Sequence, residues 1–158
     1  MENNLQKIYF GAGCFWGVEE DFRTLAGVKE TKVGYMGGET ESPTYEQVCA
    51  GGTGHVETVE VTYNPNEINL EKLLNVFWEN HDPTQIDRQG PDVGHQYRSV
   101  IFYTTPEQRD MAEQSKADLN VEKYDNHIAT EILSAPTFYS AEDYHQKYLM
   151  KRGLKVCN

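Results

Sequence analysis

Between Lys7 and Gly27 the apolar pattern changes period once. Lys7–Gly11 (KIYFG) is a short apolar run ended by glycine, the form of a buried strand. From Phe15 the pattern is helical, with Phe15, Val18, Phe22 and Leu25 on one stripe, and Gly27 closes it as a C-terminal glycine does. Gly11-Ala12-Gly13-Cys14 joins the two, so the chain must turn sharply there with little side chain in the way. Val28–Tyr35 reads as the next strand. Met36–Gly54 is rich in Gly, Ser, Thr and Pro and reads as a long loop, a length that usually carries function.

His55–Tyr63 (HVETVEVTY) alternates strictly, with His55, Glu57, Val59, Val61 and Tyr63 on one face. Asn69 caps a helix to about Glu79 whose Leu70, Leu73, Leu74 and Phe77 point inward. A second loop, His81–Tyr97, precedes a strand at Ser99–Tyr103 and a helix at Pro106–Val121. Thr130–Leu133 reads as a short strand, and Ala141–Lys151 as a last helix. No repeat or linker divides the chain, so residues 1–158 form a single domain with residues 152–158 as a flexible tail. The order is that of an α+β fold, a ferredoxin-like βαββαβ two-layer sandwich with extra helices and a long C-terminal tail. A chain of 158 residues buries roughly two-thirds of its unfolded surface and needs no disulfide framework.

Charge removes whole classes of partner. Fourteen Lys and Arg against 25 Asp and Glu give a net charge of −11, which disfavours nucleic acid and anionic membrane surfaces. No apolar run is long enough to span a bilayer, and the N-terminus lacks the pattern of a secretory signal, so a cytoplasmic location is expected. The three cysteines, Cys14, Cys49 and Cys157, are an odd number at wide spacing; in a reducing cytoplasm they are inert or redox-active.

Cys14 is the foremost candidate. It stands at the start of a helix, where partial positive charge and open N–H groups favour a thiolate, the attacking species. The alternative is a small buried hydrophobe under the helix. Phe15 and Trp16 follow; adjacent helical positions lie about 100° apart, so one packs inward while the other flanks the thiol. Glu57 is the second candidate, because alternation puts its carboxyl on the face of Val59 and Val61. A buried carboxyl tends to stay protonated and can act as a general acid; a frayed strand end with a solvent ion pair is the alternative. His55-Val56-Glu57 opens a zinc deaminase signature, but no C-x-x-C follows, and His55, His81, His95, His127 and His145 show no metal-ligand spacing, so no metal or other cofactor is expected. His81, His127 and His145 read as ordinary surface or core histidines.

In the loops, the Tyr45 and Tyr97 hydroxyls could hold a substrate oxygen and Asp92 could orient a hydroxyl or water, although in a chain of 10 tyrosines each taken singly reads first as structural. Cys49, with no charge partner in view, reads as a buried, inert thiol. Cys157 is penultimate; the six residues beyond Lys151 reach about 20 Å when extended, so it can approach a distant site, the alternative being a terminal thiol without a role.

Gly13–Gly17 (GCFWG), residues 45–61 (YEQVCAGGTGHVETVEV), 77–85 (FWENHDPTQ) and 90–99 (GPDVGHQYRS), in that order, resemble the A-class peptide methionine sulfoxide reductases over nearly the whole chain. The resemblance implies reduction of methionine S-sulfoxide, free or in proteins, in the repair of oxidised proteins. It implies Cys14 as nucleophile, Phe15 and Trp16 as the methyl pocket and Glu57 as proton donor to the sulfoxide oxygen. Tyr45 and Tyr97 would hydrogen-bond that oxygen, Asp92 would orient, and Cys157 would be the resolving cysteine. It further implies a thioredoxin-type dithiol as reductant and a monomer as the usual form. Many relatives continue past this point with a further cysteine, whereas this chain stops one residue after Cys157, so a second thiol relay is not expected. Two other readings remain at this stage: a Cys–His hydrolase using Cys14 with His55 or His95, and a non-catalytic module that binds oxidised or Met-rich surfaces.

Overall fold

The computed structural model describes residues 5–152. Its elements, in chain order, are β1 (Gln6–Ala12), α1 (Phe15–Arg23), β2 (Val28–Met36), α2 (Tyr45–Ala50), β3 (Val56–Tyr63), α3 (Leu70–Glu79), β4 (Arg88–Gln89), β5 (Asp92–Val93), β6 (Ser99–Tyr103), α4 (Pro106–Glu122), β7 (Glu131–Ser134), β8 (Tyr139–Ser140) and α5 (Tyr148–Lys151). The main sheet has the order β7-β6-β1-β3-β2-β8. β3 lies antiparallel between β1 and β2, and β6 runs antiparallel to β1 on its other side. These four strands and the helices between them are the expected βαββαβ unit. β7 adds a parallel edge and β8 extends the opposite one.

The alternation of β3 sorts its side chains between two clusters rather than between core and solvent; all eight residues are buried. Val59, Val61 and Tyr63 join Ile8, Phe10, Val33 and Ile101 under α1, α3 and Ala112 of α4. Val56 faces the other way, with Met36, Val100 and Phe102, and Phe138 packs on that smaller cluster. The polar residues on that second face are satisfied: Glu60 accepts from the Tyr9 hydroxyl at 3.0 Å and pairs with Lys7.

Local chemistry starts the helices. Asn69 accepts from the Lys72 amide at α3, and Thr105 accepts from the Gln108 amide at α4, where Pro106 stands at the first turn. α1 ends earlier than its apolar stripe suggests, at Thr24. Gly27 lies beyond it at φ +96°, where a Cβ would come within 2.6 Å of Ile68, so its absent side chain serves a close approach.

Three expectations are corrected. The first loop contains α2, started by a capping box in which Thr44 and Gln47 each accept the other's backbone amide. The second loop folds back as a β4–β5 hairpin followed by a 3₁₀ turn at His95–Tyr97. The expected helix over Ala141–Lys151 is broken into a 3₁₀ turn at Asp143–His145 and α5, with Lys147 between them at φ +52°. The expected tail, including Cys157, lies outside the described residues.

Candidate active site

Cys14 sits at the N-cap of α1, partly exposed. The turn before it works only with glycine: Gly13 has φ +100°, and a side chain there would come within 2.9 Å of Gln89 in the hairpin. The hairpin of the second loop therefore closes against the residue preceding the thiol. One residue further, the Phe15 amide donates to Glu57 Oε1 at 3.2 Å. Glu57 is 1% exposed, on the helix-covered face, as its register predicts. The start of α1 and the core of β3 thus place a thiol and a buried carboxyl side by side.

Two phenols complete this polar group. The Tyr97 hydroxyl is pushed up by burial and then by Glu57, Cys49, Asp92 and Cys14, so these four groups stand near one hydroxyl. Tyr45 is also pushed up, by burial, by a hydrogen bond to Cys49 and by Glu57. Both remain hydrogen-bond donors well above neutral pH. Asp92, at the start of β5, is half-buried beside them. Seven of the eight residues read from the sequence as site residues, Cys14, Phe15, Trp16, Tyr45, Glu57, Asp92 and Tyr97, converge on one end of the sheet. The eighth, Cys157, is outside the described residues. Cys49 is corrected: it is exposed rather than buried and lies at the Tyr45 hydroxyl. Its thiol is pushed up, by desolvation first and by Glu57 and Glu142, against the opposing Tyr45 bond, so it keeps its proton.

The pocket wall is aromatic. Phe15 is buried, with ring centroids 5.7 Å from Tyr35, 6.4 Å from Tyr45 and 5.3 Å from His145. Trp16 is partly exposed, and Tyr148 stacks on its face at 3.8 Å and 9°. Sequence reasoning missed the segment that closes this wall. Glu142 accepts from the Tyr35 hydroxyl and from the Tyr45 amide, both at 3.0 Å. Partial burial pushes its carboxyl up, but the bonds from the Tyr45 amide, its own amide and Tyr35 outweigh that, and Glu142 stays charged. His145, read from the sequence as an ordinary histidine, packs among the pocket rings.

The remaining histidines do not form a Cys–His pair. His55 accepts from the Gly38 amide through Nδ1 and donates through Nε2 to the Thr40 carbonyl, so both nitrogens are spent on staples between loops. His95 is exposed and pairs with Asp87 at 2.9 Å. His81 bridges the Phe77 carbonyl and the Ser99 hydroxyl, and burial pushes its pKa down to about 4. Among the described residues no group of three or more His, Cys, Asp or Glu side chains is placed to hold a metal.

Comparison with known proteins decides the family. The peptide methionine sulfoxide reductase family matches over residues 6–158. The chain belongs to that family. The MsrA of Methanoculleus marisnigri is 54% identical over 157 residues, covering 99% of this chain and 96% of that protein. The solved methionine sulfoxide reductase A of Corynebacterium diphtheriae is 41% identical with a TM-score of 0.91, covering 98% of this chain and 78% of that one. Mxr1 of Saccharomyces cerevisiae, solved in complex with Trx2, is 27% identical with a TM-score of 0.66, covering 92% and 86%. In this chain Cys14, Glu57, Tyr45 and Tyr97 stand together at one end of the sheet, beside Phe15 and Trp16.

Proposed function

We infer that this methionine sulfoxide reductase works through Cys14 on the S epimer of methionine sulfoxide, free or in proteins. The observation that carries this reading is the bond from the Phe15 amide to Glu57, which ties the acid to the residue next to the nucleophile. The Cys14 thiolate attacks the sulfoxide sulfur. The attack is slow unless the oxygen gains a proton, and Glu57 supplies it. Burial takes the Glu57 carboxyl out of water, which disfavours its charged form and favours the protonated form that donates. Tyr45 and Tyr97 donate to the oxygen as charge develops, and Asp92 orients them. Phe15 and Trp16 take the methyl group. With methyl and oxygen both placed, one epimer presents its sulfur to Cys14.

The sulfoxide S–O bond and the transient bond between the two sulfurs then break as the protonated oxygen passes to the Cys14 sulfur; methionine leaves with the electron pair on its sulfur, and Cys14 is left as a sulfenic acid. The Cys157 thiol displaces it as water and forms the Cys14–Cys157 disulfide, which a thioredoxin-type dithiol reduces. The Mxr1 complex with Trx2 supports such a reductant. Support for Cys157 comes from where the described chain ends: the Arg152 guanidinium lies 4.4 Å over the Tyr148 ring, which stacks on Trp16. Arg152 thus stands at the ring that stacks on Trp16, and the five steps from it to Cys157 span about 17 Å if extended. The reading includes a single catalytic domain acting as a monomer. Among the described residues no helix is long and apolar enough to cross a membrane, in keeping with a cytoplasmic enzyme.

Cys157→Ser tests the sequence of steps. It should release about one methionine per enzyme with thioredoxin as reductant and accumulate sulfenic acid on Cys14. Undiminished multiple turnover would remove Cys157 from the mechanism.

A further inference from the structure

The Trp16 indole is held on its face and at its edge by different residues. Tyr148 stacks on the face at 3.8 Å. Stacking resists separation but leaves a ring free to slide and rotate in its own plane. The edge is fixed by one bond, from the indole Nε1–H to His145 Nδ1 at 3.0 Å. His145 is 1% exposed, and its ring centroid lies 5.3 Å from Phe15, 4.3 Å from Tyr45 and 4.1 Å from Tyr144. It therefore touches both apolar residues of the methyl pocket and one of the oxygen-binding tyrosines.

The bond to Trp16 also settles the state of His145. An Nδ1 that accepts carries no proton, so the ring is neutral with its proton on Nε2. Burial acts in the same direction, pushing its pKa down against the opposing charge of Glu142. Nε2 is buried with no hydrogen-bond partner among the described residues. His55 and His81 use both ring nitrogens on backbone or hydroxyl partners. At His145 the partnered nitrogen among the described residues is Nδ1, and its partner is the Trp16 indole.

The backbone that carries His145 is anchored independently of Trp16. On one side Glu142 holds the Tyr35 hydroxyl and the Tyr45 amide. On the other, the Gln146 amide accepts from the Val33 N–H and donates to the Val33 carbonyl, both at 2.8 Å, in imitation of a paired strand. The Lys147 amide then donates to the buried Glu19 carboxylate at 2.7 Å. The imidazole is thus a fixed post, and the indole is the part that would move without it.

We propose that His145 is a positioning residue for the reductase, whose Nδ1 fixes the in-plane orientation of Trp16 and so the fit of the substrate's methyl group. This rests on the reading of Trp16 as a wall of the methyl pocket.

Two substitutions separate the atoms. The carboxamide oxygen of His145→Asn can stand where Nδ1 does, whereas that of His145→Gln stands where Nε2 does. Both would be assayed on an S-sulfoxide peptide with a dithiol reductant, alone and in a Trp16→Phe background. The Nε1–H resonances of the two tryptophans would be followed by NMR. Trp78, whose indole donates to Ser115, is the internal control. His145→Gln should lower kcat/KM about 10- to 100-fold and move the Trp16 resonance while that of Trp78 stays. His145→Asn should recover most of the rate, and His145→Gln should cost nothing further once Trp16 is Phe. Equal rates for the Asn and Gln variants, or a full additional loss in the Trp16→Phe background, would overturn the proposal. A wild-type protein inactive on both epimers would instead overturn the functional reading on which it rests.

Discussion

The turn at Gly11–Gly17 and the strap at 141–152 meet where Phe15 and Trp16 pack on His145 and Tyr148, but they are built differently. The turn is an end product of the core. β1 pairs on both sides within the sheet, α1 buries Phe15, Val18 and Phe22, and Cys14 is left at the junction because the elements on either side are fixed. The strap has little regular structure. It is fastened by side chains that reach distant backbone: Glu142 to Tyr45, Gln146 to Val33 and, in return, Glu19 to Lys147. In the proposed mechanism the turn supplies the chemistry, with hydrophobic packing behind it. The strap supplies alignment, with a few hydrogen bonds behind it. Damage to the first should be seen as lost reaction, and damage to the second as misaligned reaction together with local loosening.

The sharpest way to break that contrast lies on the turn side. Glu57→Gln keeps an oxygen for the Phe15 amide and removes the acid. The rate of methionine release should fall on the order of 10²–10⁴-fold while the thermal midpoint barely moves. An unchanged single-turnover rate would end the general-acid assignment. Glu142→Ala tests the strap side. It strands the Tyr35 hydroxyl and the Tyr45 amide, so stability should fall by about 1–3 kcal/mol in urea unfolding and activity by a smaller factor than in Glu57→Gln. A loss of rate as deep as that of Glu57→Gln, with no loss of stability, would mean that Glu142 takes part in the chemistry.

The last test lies outside both regions and bears on stability alone. His81 has its pKa pushed down to about 4 by burial, so folding favours its neutral form. Its contribution is present above the unfolded value of about 6.5 and is lost as pH falls from there towards 4. At most this is on the order of 3 kcal/mol, with some discount for partial exposure. Urea unfolding at pH 7 and pH 5 should show the loss in the wild type and a smaller one in His81→Gln. Equal losses in both would exclude His81 as the source.

The same contrast explains what could be read from the amino-acid sequence. The change of period at Gly11–Phe15 and the parity of Glu57 on β3 are visible because repeated side-chain positions report which face is buried. The βαββαβ order follows from the same patterns. The strap defeats them. Ala141, His145 and Tyr148 fall at helical spacing, yet the backbone breaks at Lys147 because the Glu19 carboxylate takes its amide and Gln146 takes the edge of β2. Bonds from one side chain to remote backbone leave no periodic trace. The two-residue strands β4, β5 and β8 are too short to show a period. α2 did carry a legible signal in Thr44 and Gln47, the spacing of a capping box, inside what otherwise looks like loop. Cys49 misled because its helix is short and exposed, and the phenol that meets its thiol comes from one turn earlier.

The central claim is that Cys14 and its pocket reduce one epimer of methionine sulfoxide. The most direct measurement supplies the two separated epimers of a methionine-sulfoxide peptide to the wild type and to Cys14→Ser, with a dithiol reductant, and follows methionine. Turnover of the S epimer alone, abolished in Cys14→Ser, is the predicted result. Equal turnover of both epimers, or activity that survives Cys14→Ser, would contradict the account.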